Sequence, residues 1–60
     1  MASKLLLFPE VAERLRRTDA QLRWMIHSGT IVKPANIGGR LVWREDDLEA
    51  WIDSQFEKSA

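Results

Sequence analysis

Cysteine is absent from this chain of 60 residues, histidine occurs once, and glycine and proline are scarce at three and two. Without cysteine there is neither a disulfide staple nor a thiolate metal ligand, which is compatible with a reducing compartment. The lone His27 cannot build a zinc site by itself. Long apolar runs are missing as well. The longest, Leu5 to Phe8, is far short of the ~20 residues a membrane span needs, and shorter than a signal-peptide core. No Ser-His-Asp or Cys-His set is present, and Gly38-Gly39 lacks the Lys-Ser/Thr that completes a phosphate-cradling loop. The expectation is a soluble intracellular domain with no catalytic residues, no cofactor, no metal and no membrane partner.

Charge of one sign is also lacking in the sum, with nine basic and nine acidic residues, but not in the distribution. Residues 1–44 carry eight basic side chains against three acidic ones, a balance of +5, while residues 45–60 carry six acids and one base, a balance of −5. Such polarity gives a basic face and an acidic face, and the local field decides whether a polyanion binds. Zero net charge predicts weak non-specific affinity for nucleic acid, not the absence of a site. A chain this short has room for one core and a stability of a few kcal/mol. We expect a single domain over 1–60, with its core at about 5–56 and a frayed tail from Glu57.

Along the chain, Pro9 suits the first position of a helix, where its missing N–H costs nothing. Val11, Ala12 and Leu15 supply a narrow apolar stripe, and Glu10 and Glu13 favour the dipole of the early turns. This helix should end near Arg16 or Arg17. Thr18 then has the character of an N-cap, with Asp19 in the first turn. Leu22, Met25 and Ile26 form the inward stripe of a second helix, and Gly29 is suited to end it. Two short helices across a tight turn make a helix-turn-helix.

Ile31-Val32-Lys33 has strand character, limited by Pro34. Arg40 to Trp43 is the returning strand, and Gly38-Gly39 between them supplies the positive φ of a tight hairpin turn. A third helix should start near Glu45, with Leu48, Trp51, Ile52 and Phe56 as its inward face. Trp43 and Trp51 are core residues on this pattern. The run Glu45-Asp46-Asp47 imitates a metal or acid–base cluster but is better explained as first-turn carboxylates meeting a helix dipole. The fold class is therefore mainly α with a small β-hairpin.

The set Val11-Ala12-Glu13-Arg14-Leu15, Thr18, Gly29, Ile37-Gly38-Gly39-Arg40 and Asp47-Leu48-Glu49-Ala50-Trp51-Ile52 resembles the small winged helix-turn-helix domains of the excisionase and AlpA type. Their fold is related to the DNA-binding head of MerR regulators. The resemblance covers about residues 6 to 52. Where relatives commonly place glycine in the turn between the helices, this chain has Arg16. Where they often carry two basic residues after the second cap, it has Asp19 and Ala20.

Within that layout the second helix is the candidate for the major groove. Its outward positions are Thr18, Ala20, Gln21, Arg23, Trp24 and His27. Arginine can pair with guanine, glutamine with adenine, and a small alanine can pack on a thymine methyl. Arg23 can equally reach a phosphate. Trp24 either lies along the sugar-phosphate backbone or closes the edge of the core. His27 can serve simply as a surface cation near the helix C-terminal end. Arg16 and Arg17 sit in the turn, where phosphate contacts fix register without reading sequence. Gly39 and Arg40 lie at the wing tip, from which Arg40 can enter a minor groove or clamp a phosphate.

The resemblance implies a phage excisionase, a recombination directionality factor in the cytoplasm of a bacterial host. Such a protein binds and bends double-stranded attachment-site DNA and helps a tyrosine integrase excise the prophage. The charge polarity adds the expectation that copies bind adjacent sites head to tail, a contact that extends rather than closes. An AlpA-like transcriptional regulator and, from another class, a protein-interaction adaptor are the alternative readings.

Overall fold

The computed structural model describes residues 4–59. In chain order it contains β1 (Leu5–Leu7), α1 (Phe8–Leu15), α2 (Asp19–Ser28), β2 (Ala35–Ile37), β3 (Arg40–Arg44) and α3 (Glu45–Ser59). The strands form one antiparallel sheet in the order β1-β3-β2. Leu6 pairs with Trp43, and Asn36 with Leu41. Alternation along a strand sends neighbouring side chains to opposite faces, so Leu6, Leu41 and Trp43 face the helices. Leu6, Val11, Ala12, Leu22, Ile31, Trp43 and Leu48 make the buried cluster. Full burial of one such aliphatic side chain contributes about 1.5–3 kcal/mol, so each is a large share of what a domain this small has.

α1 opens at Phe8, one residue ahead of expectation, which leaves Pro9 still within the first turn. Leu7 has no side-chain oxygen to cap it, and the Glu10 carboxylate instead accepts the Leu7 N–H at 2.9 Å. The helix stops because Arg16 turns left-handed, φ 56 and ψ 45. Arg16 N–H then donates to the Glu13 carbonyl and Arg17 N–H to the Ala12 carbonyl, at 3.0 and 2.9 Å. This is the Schellman pattern that glycine usually makes. α2 ends in the same way at Gly29, φ 74, where Gly29 and Thr30 N–H donate to the Ile26 and Met25 carbonyls.

Three expectations need correction. Ile31-Val32-Lys33 is not a strand. Ile31 is drawn into the core, and the Val32 carbonyl accepts the Trp43 indole Nε1–H at 2.9 Å. The segment is held by one side chain and one carbonyl, and pairing with β3 begins only past Pro34, at Ala35. Secondly, Phe56 is 73% exposed and does not join the inward face of α3. Leu48 is buried, and Trp51 and Ile52 pack half-buried on the core. A helix of 15 residues is about 22 Å long at 1.5 Å per residue, and the small core ends beneath Ile52. Thirdly, the helix does not fray from Glu57. It continues through Ser59, whose hydroxyl donates to the Gln55 carbonyl at 3.0 Å; residue 60 lies outside the described residues.

Leu5-Leu6-Leu7 is an edge strand that divides between faces. Leu6 is buried, while Leu5 and Leu7 are exposed on the outer side of the sheet.

Candidate nucleic-acid interface

α2 is positioned by Leu22, which is fully buried in the core, and by half-buried Met25 and Ile26, which pack against it. This leaves Ala20, Gln21, Arg23, Trp24 and His27 exposed. The start of the helix is a complete capping box. Thr18 Oγ1 accepts the Gln21 N–H at 3.1 Å, and Gln21 Oε1 accepts the Thr18 N–H at 3.0 Å. The Gln21 side-chain oxygen is therefore committed to the cap, and bidentate pairing with adenine, which needs that oxygen and the amide nitrogen together, competes with it. Trp24 is 65% exposed and does not close the core edge. Its ring lies 5.9 Å from that of His27, one turn further along.

The turn between the helices presents Arg16 and Arg17 beside Thr18 around an open depression on the molecular surface. The left-handed backbone at Arg16 is what carries the chain from one helix to the next within so few residues. At the wing, Ile37 pairs with Arg40 across a two-residue turn in which Gly38 and Gly39 have φ 62 and 85. Positive φ at both central residues defines a type I′ turn, whose twist matches that of the flanking strands. Asn36 Oδ1 accepts the Gly39 N–H at 3.0 Å and fixes the tip. Arg40 thus starts β3 on a rigid ribbon.

Arg23 from α2 and Arg40 from the wing line one cleft of about 290 Å³, together with Phe8, Ile26 and Leu41. The sequence pattern set these two arginines on separate elements, and the tertiary fold brings them to one place. It also adds Phe8, whose ring lies 5.4 Å from the Arg23 guanidinium carbon. Phe8 continues the stripe of Val11, Ala12 and Leu15 at i, i+3, i+4 and i+7, so the spacing marks it as an inward residue of α1 but not as a neighbour of Arg23.

The arginines of α1, the turn, α2 and the wing differ in their partners. Arg14 donates to Glu45 at 3.0 Å and to Glu49 at 2.6 Å, tying α1 to the acidic start of α3. Arg16, Arg17, Arg23 and Arg40 have no carboxylate partner among the described residues. Glu49 is thus engaged within the chain. No group of three His, Asp or Glu side chains among the described residues is placed to hold a metal ion. No helix among them is long and apolar enough to cross a membrane.

No curated protein and no solved structure matches the chain. Residues 5–55 do match a protein family described as helix-turn-helix domain. That span runs from β1 to near the end of α3 and takes in the capped α2 and the wing, so the chain belongs to this family, of the small excisionase and AlpA type, a membership that suggests DNA binding.

Proposed function

We propose that this chain binds double-stranded DNA with α2 toward the major groove and the Gly38-Gly39 wing beside it, acting as a phage excisionase. In that role it bends attachment-site DNA and promotes excision by a tyrosine integrase. The observation that carries the reading is that Arg16, Arg17, Arg23 and Arg40, on the turn, α2 and the wing, have no carboxylate partner among the described residues. Lys/Arg side chains left to solvent on a chain of zero net charge are available to displace counterions from phosphates. Arg16 and Arg17 fix register, Ala20 and Trp24 lie closest to base edges and sugars, and Gln21 serves α2 first as its cap. His27 adds a donor one turn on. Helix-turn-helix domains of this family are typically not enzymes, and no catalytic role is assigned.

One module of this size spans few base pairs, so useful specificity calls for several copies on neighbouring sites. The acidic side chains beyond Glu49, Asp53 and Glu57 beside exposed Phe56, are the surface offered to the basic face of the next copy. The experiment is a gel shift with an attachment-site fragment, followed by an excision assay with the cognate integrase. Salt-sensitive, cooperative retardation and integrase-dependent excision support the reading. Promoter regulation without excision would favour an AlpA-like regulator, and no retardation at all would favour a protein-interaction adaptor.

A further inference from the structure

The cleft between α2 and the wing has an apolar floor, with Phe8, Ile26 and Leu41, and an arginine from each side, Arg23 and Arg40. The floor is tied to the core. Phe8 lies against Trp43 with ring centroids 6.3 Å apart and planes tilted by 49°. Trp43 is 2% exposed and pinned through its indole N–H to the Val32 carbonyl. The Phe8 ring also meets the Arg23 guanidinium, at 5.4 Å from carbon to centroid, within the range where ring and cation attract. A long side chain that would otherwise sample many rotamers is thereby held toward the wing. The N–H fork of a guanidinium matches two oxygens of a phosphate. Arg40 faces the same cleft, and neither arginine has a carboxylate partner among the described residues.

A deoxyribose-phosphate strand has the complementary chemistry, with anionic oxygens for the two arginines and an apolar sugar face for the floor. We propose that this cleft seats one backbone strand of duplex DNA, gripped jointly by Arg23 and Arg40, and that Phe8 is the positioning residue that holds Arg23 there. Arg23 is then a backbone contact and not a base reader, and the sequence-reading side chains lie elsewhere on α2. The inference rests on the DNA-binding reading above and goes beyond it in assigning the two arginines to one strand.

The test is fluorescence anisotropy with two duplexes, one selected from a random-sequence library and one scrambled version of equal composition, over a salt series. Arg23→Ala and Arg40→Ala should each weaken both duplexes by a similar factor, about tenfold, and lower the salt slope by about one. The double variant should lose much less than the product of the two factors. Phe8→Leu should weaken binding severalfold, Phe8→Tyr should restore it, and Phe8→Leu should have no effect in the Arg23→Ala background. A merely structural Phe8 would weaken binding equally in both backgrounds, which would overturn its positioning role. Loss confined to the selected duplex, with an unchanged salt slope, would make Arg23 a base reader and overturn the shared seat. Strictly multiplicative effects would overturn it too. Failure of the unmodified protein to bind either duplex would instead sink the DNA-binding reading itself.

Discussion

Arg14 and Arg17 stand three residues apart at the end of one helix, yet they belong to different parts of the molecule. Arg14 spends its charge internally, bridging Glu45 and Glu49 and so fastening α1 to α3. Arg17, beyond the left-handed turn at Arg16, opens onto the surface beside Thr18 with no carboxylate partner among the described residues. The lesson concerns net charge. An acidic final helix brings the total to zero, but it neutralises the arginine it touches and leaves the cations of α2, the turn and the wing exposed. A balanced sum therefore coexists with a basic surface, because six of the nine carboxylates lie on α3 while Arg16, Arg17, Arg23 and Arg40 lie on other elements.

Charge reversal at the two positions should separate the roles most sharply. Arg17→Glu should leave the melting temperature nearly unchanged while weakening DNA binding by ten- to a hundredfold at low salt, with the salt slope reduced by about one. Arg14→Glu, placing a third carboxylate against Glu45 and Glu49, should lower stability by about 1–2 kcal/mol, since both the attraction and its replacement by repulsion count. Its effect on DNA affinity should be small. Equal losses of affinity in the two variants would break the distinction drawn between them.

The two helix ends sharpen the contrast in another way, because the same hydrogen-bond pattern is closed by glycine at 29 and by arginine at 16. Gly29→Ala meets no atom within 4 Å of the added Cβ, so its cost is backbone strain alone, about 1–2 kcal/mol. For a domain this small that is a fall of roughly 4–8 °C per kcal/mol in the thermal midpoint. Arg16→Gly relieves the same strain but frees the unfolded chain, which returns about 0.5–1 kcal/mol. The expected result, the smallest of the set, is a net gain of about 0.5–1 kcal/mol measured by denaturant unfolding, with weaker DNA binding. A stabilised variant that binds as well as before would remove Arg16 from the interface.

Local signals in the chain were sufficient for much of this. Thr18 with Gln21 three residues on, Gly29 behind an apolar stripe, and Gly38-Gly39 between apolar runs each report a backbone need that only a few residue types meet. They place α2, the turn of the wing and β3 within a residue, but not β2. The end of α1 was also visible, although no glycine marks it. Local signals failed where distant partners decide the outcome. Ile31 to Lys33 has the composition of a strand, but Trp43 captures the Val32 carbonyl and the core takes Ile31. Phe56 continues the α3 stripe at the right spacing, yet nothing lies beneath it. Leu5 to Leu7 is too short for a period to show and becomes a strand only because β3 offers it an open edge.

The candidate site divides along the same line. Every one of its arginines could be named from the sequence, as could the helix and the turn that carry them. That Gln21 is occupied by the cap, that Arg14 is withdrawn by α3, and that Arg23 lies over Phe8 in a cleft shared with Arg40 could not. The sequence by itself determined the capped second helix, the type I′ wing and the segregation of charge, because backbone conformation at a cap or a turn depends on residues a few positions apart. The tertiary structure alone decided which cations remain available and which two meet, because ion pairs and ring contacts form between side chains brought together from across the chain by burial of the core.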